Sequence, residues 1–353
     1  MTVRPGFVVT VVGLVVSGLL AGCSVPGDAP LRSRRPGPSA PPRPPPTPFP
    51  PPGKVFLGVQ TSAGPPDFTA VDAFTAATHH GIAAFQFSQG WAEDGFDAGR
   101  LDAVAAKGLL PIVSWEPWDY QLRGRAASSG EQPAYRLATI IDGRYDDYIR
   151  SWATGVATLP YPVVMRFAHE MNGFWYPWCE QANGNHPGDY VKAWRHVHDI
   201  FVAAGAHNVS WLWSPNVTYP GAAPLDELYP GDSYVDWIGL SGYYGTAGHT
   251  SYISFDQIFD RTITELSEFT RKPIVVTETG ATNSTGQQTR WITQMFQQLP
   301  RHPEIIGVIW FEVDKEIDWR IAGVPSSAAA FATGAADPRY DTTWTPAGVP
   351  RSG

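Results

Sequence analysis

The amino-acid sequence predicts an α/β protein built as a single (β/α)8 barrel, a TIM barrel, which follows an export signal and a proline-rich linker. Three observations predict this fold. From Lys54 onward, eight short apolar runs alternate with stretches of helical periodicity. The eight units occupy about 290 residues, a length within the range of such barrels. Acidic, amide and aromatic residues follow several of the runs, where the mouth of a barrel would lie.

The predicted strands are short, apolar and bounded by turn-forming residues. They are Phe56–Thr61, Ala83–Ser88, Leu110–Trp115, Val163–His169, Val209–Ser214, Trp237–Tyr243, Ile274–Thr277 and Ile306–Phe311. The helices predicted between them are Phe68–His80, Ala98–Lys107, Tyr145–Leu159, Tyr190–Ala204, Phe255–Phe269 and Thr289–Leu299. An open doubly wound sheet is the alternative, but no glycine-rich phosphate-binding motif follows the first strand. We expect the barrel to occupy residues 54–345.

The first 22 residues have the features of a signal peptide. Arg4 is followed by an apolar run, Phe7–Leu20, which is too short for an ordinary membrane-spanning helix. Leu20-Ala21-Gly22-Cys23 then has the form of a lipobox, in which the thiol of Cys23 would take the lipid. A plain signal peptide or a signal anchor is the alternative. Two or three acyl chains would anchor the protein stably, whereas one would not.

Residues 23–53 are expected to form a spacer between this anchor and the barrel. There are 11 prolines between Pro36 and Pro52, which excludes regular helix and sheet. Such a segment favours an extended polyproline II conformation, rising about 3.1 Å per residue. We therefore expect the protein on the outer face of the bacterial cell membrane as a lipoprotein, or secreted. Residues 346–353 are expected to form a flexible tail.

Composition excludes several classes of function. Hydrophobic residues make up 43% of the chain and charged residues 16%, which favours a folded domain with a sizeable core. The net charge of −8 gives no indication of the positively charged surface that binding to nucleic acid requires. The only two cysteines, Cys23 and Cys179, are too few for a metal cluster or a disulfide framework. We expect a monomer without metal or cofactor.

Two glutamates follow predicted strands on opposite sides of the barrel. Glu170 follows the fourth strand and Glu278 follows the seventh. Glycoside hydrolysis needs such a pair, in which one carboxyl protonates the leaving oxygen and the other attacks or activates water. Either glutamate alone is compatible with an ordinary loop carboxylate. The two together, at these strand ends, favour a catalytic pair.

Three polar residues are predicted to assist this pair. His169 could hydrogen-bond sugar hydroxyls, or it could only orient the glutamate that follows it. Tyr243 could hold Glu278 through its hydroxyl and keep it ionised. Arg166 could pair with Glu278, or it could form a buried ion pair at the base of the barrel. Both pairs of alternatives are open at the level of sequence.

Tryptophan is abundant, with 14 in the chain, and suits carbohydrate because the apolar face of a sugar ring packs flat on an aromatic ring. Four of them are predicted to line the substrate cleft, with core packing as the alternative for each: Trp115, Trp175, Trp178 and Trp310. Asn216, after the fifth strand, is predicted to support the site.

Four segments carry a resemblance to a known family. Arg166–Gly173, with the letters RFAHEMNG, is followed by Trp175 and Trp178 and resembles the acid/base segment of glycoside hydrolase family 26. That family belongs to a clan of retaining (β/α)8 hydrolases. The other segments that resemble it are Val276–Glu278 at the nucleophile strand end, Trp115–Trp118 and Lys315–Arg320. The resemblance extends roughly from Val55 to Ile321, after which Ala322–Pro325 departs from the polar turn expected there.

The resemblance implies roles for the two glutamates. Glu170 would be the acid/base, and Glu278 the nucleophile, of an endo-acting, retaining double displacement. Activities of the family include β-1,4-mannanase, mixed-linkage β-glucanase and β-1,3-xylanase, so the expected partner is a β-linked polysaccharide, with the membrane as a second partner through Cys23. Two alternatives remain open: a non-catalytic glycan-binding wall lipoprotein, and a hydrolase of an unusual glycan of its own cell envelope.

Overall fold

A computed structural model describes residues 47–92, 95–122, 130–246 and 251–351 of the chain. They belong to one compact unit, Pro45–Gly353. The predicted signal peptide (1–22), the lipidation site Cys23 and most of the spacer lie outside the described residues. These three expectations therefore stay predictions.

Eight parallel strands close into a barrel, each hydrogen-bonded to the next in chain order. They are β2 (Phe56–Thr61), β3 (Ala84–Gly90), β4 (Leu110–Glu116), β5 (Val163–Phe167), β6 (Val209–Trp213), β7 (Trp237–Tyr244), β8 (Ile274–Ala281) and β9 (Ile305–Glu312). The barrel closes where β9 pairs with β2. All eight predicted strands and the predicted barrel are confirmed, and β8 continues four residues beyond its predicted end.

Helices surround the barrel and follow its strands. They are α1 (Thr69–Thr78), α2 (Ala98–Ala106), α3 (Leu137–Ile141), α4 (Asp146–Ala157), α5 (Asp189–Ala203), α6 (Leu225–Leu228), α7 (Phe255–Leu266), α8 (Gln288–Gln298) and α9 (Pro325–Ala335). All six predicted helices are present. Three helices were not predicted: α3 and α6, which are too short to show helical periodicity, and α9, which begins with Pro325 in its first turn. None of the helices within the described ranges combines the length and apolarity needed to cross a bilayer.

The main core lies between the outer face of the barrel and the helices, and it takes two tryptophans that were predicted to line the cleft. Trp115 is fully buried and packs on Trp152 of α4, with ring centroids 5.4 Å apart. Trp310 is also fully buried and packs on Trp291 of α8, at 6.3 Å. Both side chains point away from the mouth, so their predicted contact with substrate is wrong.

A small two-stranded sheet joins the two ends of the described chain. β1 (Thr47–Phe49) pairs in parallel with β10 (Gly348–Pro350). Phe49 is buried, and its ring lies 5.3 Å from that of Phe56 at the start of β2. Trp237, at the start of β7, donates its indole N–H to the carbonyl of Arg351 at 2.6 Å. The pair therefore packs at the amino ends of the barrel strands, opposite the mouth.

This sheet corrects two predicted boundaries. The folded domain begins before residue 54, because Phe49 is part of its core, and the expectation that the proline-rich run excludes a sheet is wrong at Thr47–Phe49. The predicted flexible tail is wrong as far as Arg351, because Gly348–Pro350 forms ladder hydrogen bonds and Arg351 accepts an indole N–H. Apolar burial and backbone pairing thus hold both ends of the domain in place.

Candidate active site

Arg166 lies at the centre of the barrel beneath the mouth. It is fully buried, and its Nη1 lies 2.6 Å from Oε1 of Glu278. Its other contacts are three serine hydroxyls within 3.0 Å, those of Ser114, Ser214 and Ser241. Of the two interpretations of Arg166, the pair with Glu278 is confirmed, and the ion pair at the base of the barrel is wrong. The serines fix the guanidinium, so the charge faces the carboxylate in one orientation.

Glu278 follows a bulge in β8. The pairing steps from Val276 to Glu278 on β8 while it advances by a single residue on β7. Thr277 is therefore an extra residue, and its hydroxyl bonds the carbonyl of Leu240 at 3.2 Å. Bulges re-aim the side chains that follow them. Here the bulge directs Glu278 into the mouth.

Two donors hold the carboxyl group of Glu278. Arg166 binds Oε1, and the hydroxyl of Tyr243 donates to Oε2 at 2.6 Å. The predicted contact between Tyr243 and Glu278 is therefore present. The two donors fix the direction of the carboxyl group. Glu278 is 8% exposed, so this carboxylate reaches the cleft although most of its surface is buried.

The turn that carries Glu170 adopts an uncommon backbone conformation. Ala168 and Glu170 have positive φ angles of 45° and 55°. Such a conformation costs a non-glycine residue about 1–3 kcal/mol and persists only where its surroundings impose it. The amide of Glu170 donates to the carbonyl of Ser214 at 2.7 Å, and the indole of Trp178 donates to the carbonyl of His169 at 2.6 Å.

Trp178 thereby has a structural role. It is fully buried behind the turn, and its indole N–H is used by the backbone. Its predicted contact with substrate is wrong, because no part of the ring reaches the cleft. Trp175, by contrast, is partly exposed and reaches the catalytic pair, where it donates its indole N–H to Oε2 of Glu170 at 2.9 Å. Gly173 makes room for it, since a Cβ there would lie 2.7 Å from the Trp175 ring.

The environment of Glu170 differs from that of Glu278. Burial, and secondarily the negative charge of Glu278, raise the pKa of Glu170 to about 7. Glu278 instead has the guanidinium of Arg166 and the hydroxyl of Tyr243 as donors. One carboxyl group therefore has a raised pKa, whereas the other is held by a cation and a hydroxyl donor. This division is the one that acid/base and nucleophile roles require.

His169 is buried beside the nucleophile position. Its Nε2 lies 4.0 Å from Oε1 of Glu278, and its Nδ1 has no hydrogen-bond partner among the described residues. Burial lowers the pKa of His169 well below its usual value, with help from the positive charges of Arg166 and Lys315. A neutral imidazole with an unused nitrogen fits the predicted contact with a sugar hydroxyl, which stays a prediction.

Two residues support the Glu170 turn from the outside. Asn216, predicted to support the site, exchanges two 2.9 Å hydrogen bonds between its backbone and the side chain of Asn172. Cys179 is buried, with its sulfur 3.6 Å from the carbonyl of Glu170. Burial raises the pKa of this thiol to about 12, so it stays protonated and unreactive near neutral pH.

The mouth contains two cavities that share Glu278. One has a volume of about 400 Å³ and is lined on its polar side by Glu170 and Tyr243. The other has a volume of about 340 Å³ and includes His169. Among the residues that line the mouth and were assigned no role from the sequence are Gln60, Ser88, Glu116, Tyr176, Phe311, Lys315 and Trp319.

An aromatic wall made of Tyr243, Phe311 and Trp319 forms one side of the mouth. The rings of Trp319 and Tyr243 lie 4.7 Å apart, and those of Phe311 and Tyr243 lie 5.6 Å apart. The cleft tryptophan at this end of the chain is thus Trp319 and not Trp310. The signal for it was its place in Lys315–Arg320, one of the segments that resemble the family.

One group of side chains among the described residues has the composition of a metal site. His302 lies 3.2 Å from Asp256, 3.4 Å from Asp260 and 3.3 Å from Glu304. Hydrogen bonds from the ring nitrogens of His302 to the carboxylates of Glu304, first, and Asp256 raise the pKa of His302. The group is explained as a network of hydrogen bonds and opposite charges between His302 and the three carboxylates.

Comparison with known proteins agrees with the fold. Residues 129–310 match the model of glycosyl hydrolase family 26. Endoglucanase H of Acetivibrio thermocellus is 33% identical over 257 residues, covering 69% of this chain and 27% of the relative. Beta-1,3-xylanase TXYA of a Vibrio species is 26% identical over 215 residues, covering 53% and 43%. The structure of the Bacillus subtilis mannanase BCman superposes with a TM-score of 0.59 at 18% identity, covering 85% of this chain and 91% of that one.

The chain belongs to glycosyl hydrolase family 26, because the family model matches more than half of it. The predicted family is thus confirmed. The chain spans about a quarter of the length of the endoglucanase and less than half of that of the xylanase. The similarity to the mannanase structure, at 18% identity, supports the fold alone.

Proposed function

We propose that this protein is a retaining, endo-acting glycoside hydrolase that cleaves a β-linked polysaccharide. One observation carries the proposal: two buried carboxyl groups line one cavity in different environments. The pKa of Glu170 is raised to about 7, whereas Glu278 is bound by Arg166 and Tyr243. Such a pair supplies both a proton donor and a nucleophile.

The reaction proceeds in two displacements. Glu278 attacks the anomeric carbon while Glu170 gives its proton to the departing glycosidic oxygen, so the shorter polysaccharide leaves as an alcohol. The sugar is then covalently bound to Glu278 as an ester. In the second step Glu170, now ionised, takes a proton from water as the water attacks the same carbon. Glu278 leaves as a carboxylate, and the product has the anomeric configuration of the substrate.

The substrate class follows from the mouth and from the relatives. The aromatic wall supplies a surface on which a sugar ring packs, and the opposite wall supplies polar side chains. Of the two relatives compared by sequence above, the endoglucanase has the longer aligned region and the higher identity, which supports a β-glucan as the first substrate to test. β-1,4-Mannan is the second, because a mannan endo-1,4-beta-mannosidase of Bacillus subtilis is 27% identical over 147 residues.

A hydrolysis panel tests this proposal. We expect reducing ends to appear from mixed-linkage β-glucan or β-1,4-mannan, with viscosity falling early because the chain is cut internally. Proton NMR should show the β-anomer as first product, since two displacements retain configuration. β-1,3-Xylan and the host's own envelope glycans complete the panel, and the Glu278→Ala protein serves as the blank. An α-anomer as first product would contradict the double displacement, and no release from any glycan would contradict the activity.

We also propose that the protein is exported and held at the outer face of the cell membrane through Cys23. The lipobox and the signal peptide before it support this proposal. Cys23→Ser is expected to move the protein from the membrane fraction into the soluble fraction, because the acylated sulfur is lost. Cys179→Ser is the matched control and should stay in the membrane fraction. Recovery of the Cys23→Ser protein in the membrane pellet after a high-salt wash would contradict the anchor.

A further inference from the structure

Glu116 is a third buried carboxyl group at the mouth, and the two displacements do not use it. It is the last residue of β4 and is 6% exposed. Its backbone carbonyl accepts the amides of Trp91 and Trp118 at 2.9 Å, so the main chain that carries it is fixed. A buried carboxylate costs free energy that a glutamine in the same place would not. Its presence therefore needs an explanation.

The contacts of Glu116 differ from those of a structural carboxylate in the same barrel. Glu312, at the end of β9, accepts the backbone amides of Ile321 and Ala322, both at 2.9 Å, and so anchors a loop. Glu116 accepts side-chain donors instead, the indole of Trp118 at 2.8 Å and the hydroxyl of Ser88. Ser88 is itself exposed and lines the same cavity. A hydroxyl from a ligand can join this set without disturbing the main chain.

The position of Glu116 relative to the cleavage point follows from the two cavities. A proton donor lies next to the leaving oxygen, which belongs to the sugar that departs. The cavity lined by Glu170 therefore takes the departing sugar. Glu116 lines the other cavity with Glu278 and His169, on the side of the glycone, the sugar that becomes bound to the nucleophile.

Two buried polar groups in this second cavity have capacity to bind a ligand. His169 is 3% exposed, and its Nδ1 has no partner among the described residues. A carboxylate has about four acceptor positions, and that of Glu116 has two donors. Arg166 acts on Glu116 through charge alone, because its guanidinium is bound to Glu278 and to serines. The unused hydrogen-bonding positions of His169 and Glu116 thus line the part of the mouth where the hydroxyl groups of the glycone would lie.

We propose that Glu116 is a specificity-determining residue that accepts a hydrogen bond from a glycone hydroxyl and so selects neutral β-glycans in which that hydroxyl is free. The inference depends on the proposed glycosidase function. Hydroxyl groups are the donors that neutral sugars offer in number. A uronic acid or a sulfated sugar at this position would place an anion against the carboxylate, and an acylated hydroxyl would have no proton to donate.

A set of deoxy substrates tests this proposal. The parent probe is 2,4-dinitrophenyl β-cellobioside or β-mannobioside, whichever the wild-type enzyme hydrolyses faster, and each analogue lacks one glycone hydroxyl. In the wild type, one deoxy position should lower kcat/KM by about 10- to 100-fold, because a buried acceptor is left without its donor. In Glu116→Ala the same deoxy position should change kcat/KM by no more than about twofold, because the partner is already gone.

The controls separate binding from a structural effect. Glu116→Gln keeps the shape and one acceptor oxygen, so its penalty at that position should be intermediate. Glu312→Gln removes the charge of another buried strand-end carboxylate and should keep the wild-type pattern of deoxy penalties while lowering the melting temperature. Equal penalties at every position in the wild type and Glu116→Ala would overturn the proposal. If the wild type hydrolysed neither parent probe and released nothing from any glycan of the panel, the proposed function itself would fail, which is a separate outcome.

Discussion

Replacing Glu278 by alanine is expected to lower kcat/KM on the best polysaccharide by roughly 10⁴- to 10⁶-fold, the loss seen when an enzyme nucleophile is removed. The reason is that no covalent glycosyl ester can form without the carboxylate. Sodium azide should restore turnover of 2,4-dinitrophenyl β-glycosides, because the small anion enters the space vacated next to Arg166 and Tyr243. The azide attacks from the face opposite the leaving group, so NMR should identify an α-glycosyl azide.

Two further variants make this result interpretable. Glu278→Ala leaves Arg166 buried without its counter-charge, so the protein should fold with a lower melting temperature. Glu278→Gln keeps an acceptor for Arg166 and should be inactive yet more stable than the alanine variant. Tyr243→Phe removes one hydrogen bond to a charged group and should lower kcat/KM by about 10- to 100-fold only. Near wild-type hydrolysis by either Glu278 variant would remove Glu278 from the nucleophile's role.

The strands and the two glutamates could be predicted because each rests on a local signal. Strands buried on both faces appear as continuous apolar runs, and the barrel rule then places their carboxyl ends at one mouth. The charged residue directly after such a run must either find a partner or face solvent. Glu170 and Glu278 meet that condition in the structure, where Trp175 and Arg166 are their respective partners.

The error at two tryptophans has a simple geometric cause. Successive side chains of a strand point to opposite faces. Since Glu116 and Phe311 face the mouth, their neighbours Trp115 and Trp310 must face the helices. Alternation along each strand could have assigned both tryptophans to the core. The abundance of tryptophan near strand ends does not identify cleft residues unless the face of the strand on which each one lies is also considered.

Other features depend on contacts between distant parts of the chain. The positive φ of Glu170 is imposed by the carbonyl of Ser214, and nothing in the local sequence requires it. The pairing of Thr47–Phe49 with Gly348–Pro350 joins segments about 300 residues apart. Both segments are three residues long and contain proline, so neither shows the alternation that predicts a strand.

Replacing Glu170 by alanine should have an effect that depends on the leaving group. For polysaccharides and alkyl glycosides, kcat/KM should fall by about 10²- to 10⁴-fold, because the departing oxygen needs a proton. For 2,4-dinitrophenyl β-glycosides, whose phenolate leaves unaided, formation of the glycosyl ester should be little changed and its hydrolysis should become slow. Azide should then attack the ester on the face that Glu170 serves, giving a β-glycosyl azide. Equal losses on all leaving groups would contradict the acid/base assignment.

The same carboxyl group should set the alkaline limit of activity. Glu170 must be protonated to act as the acid, and its pKa of about 7 lies well above that of an ordinary glutamate. On substrates that need protonation, kcat/KM should therefore fall as the pH rises through about 7, and Glu170→Ala should abolish this alkaline limb of the pH profile.

The Trp175→Phe variant is a control in which the alkaline limb should shift in a known direction. The indole hydrogen bond favours the charged form and lowers the pKa of Glu170, so its removal should move the alkaline limb to higher pH. A limb that stays in place in Trp175→Phe, or that persists in Glu170→Ala, would assign the titration to another group.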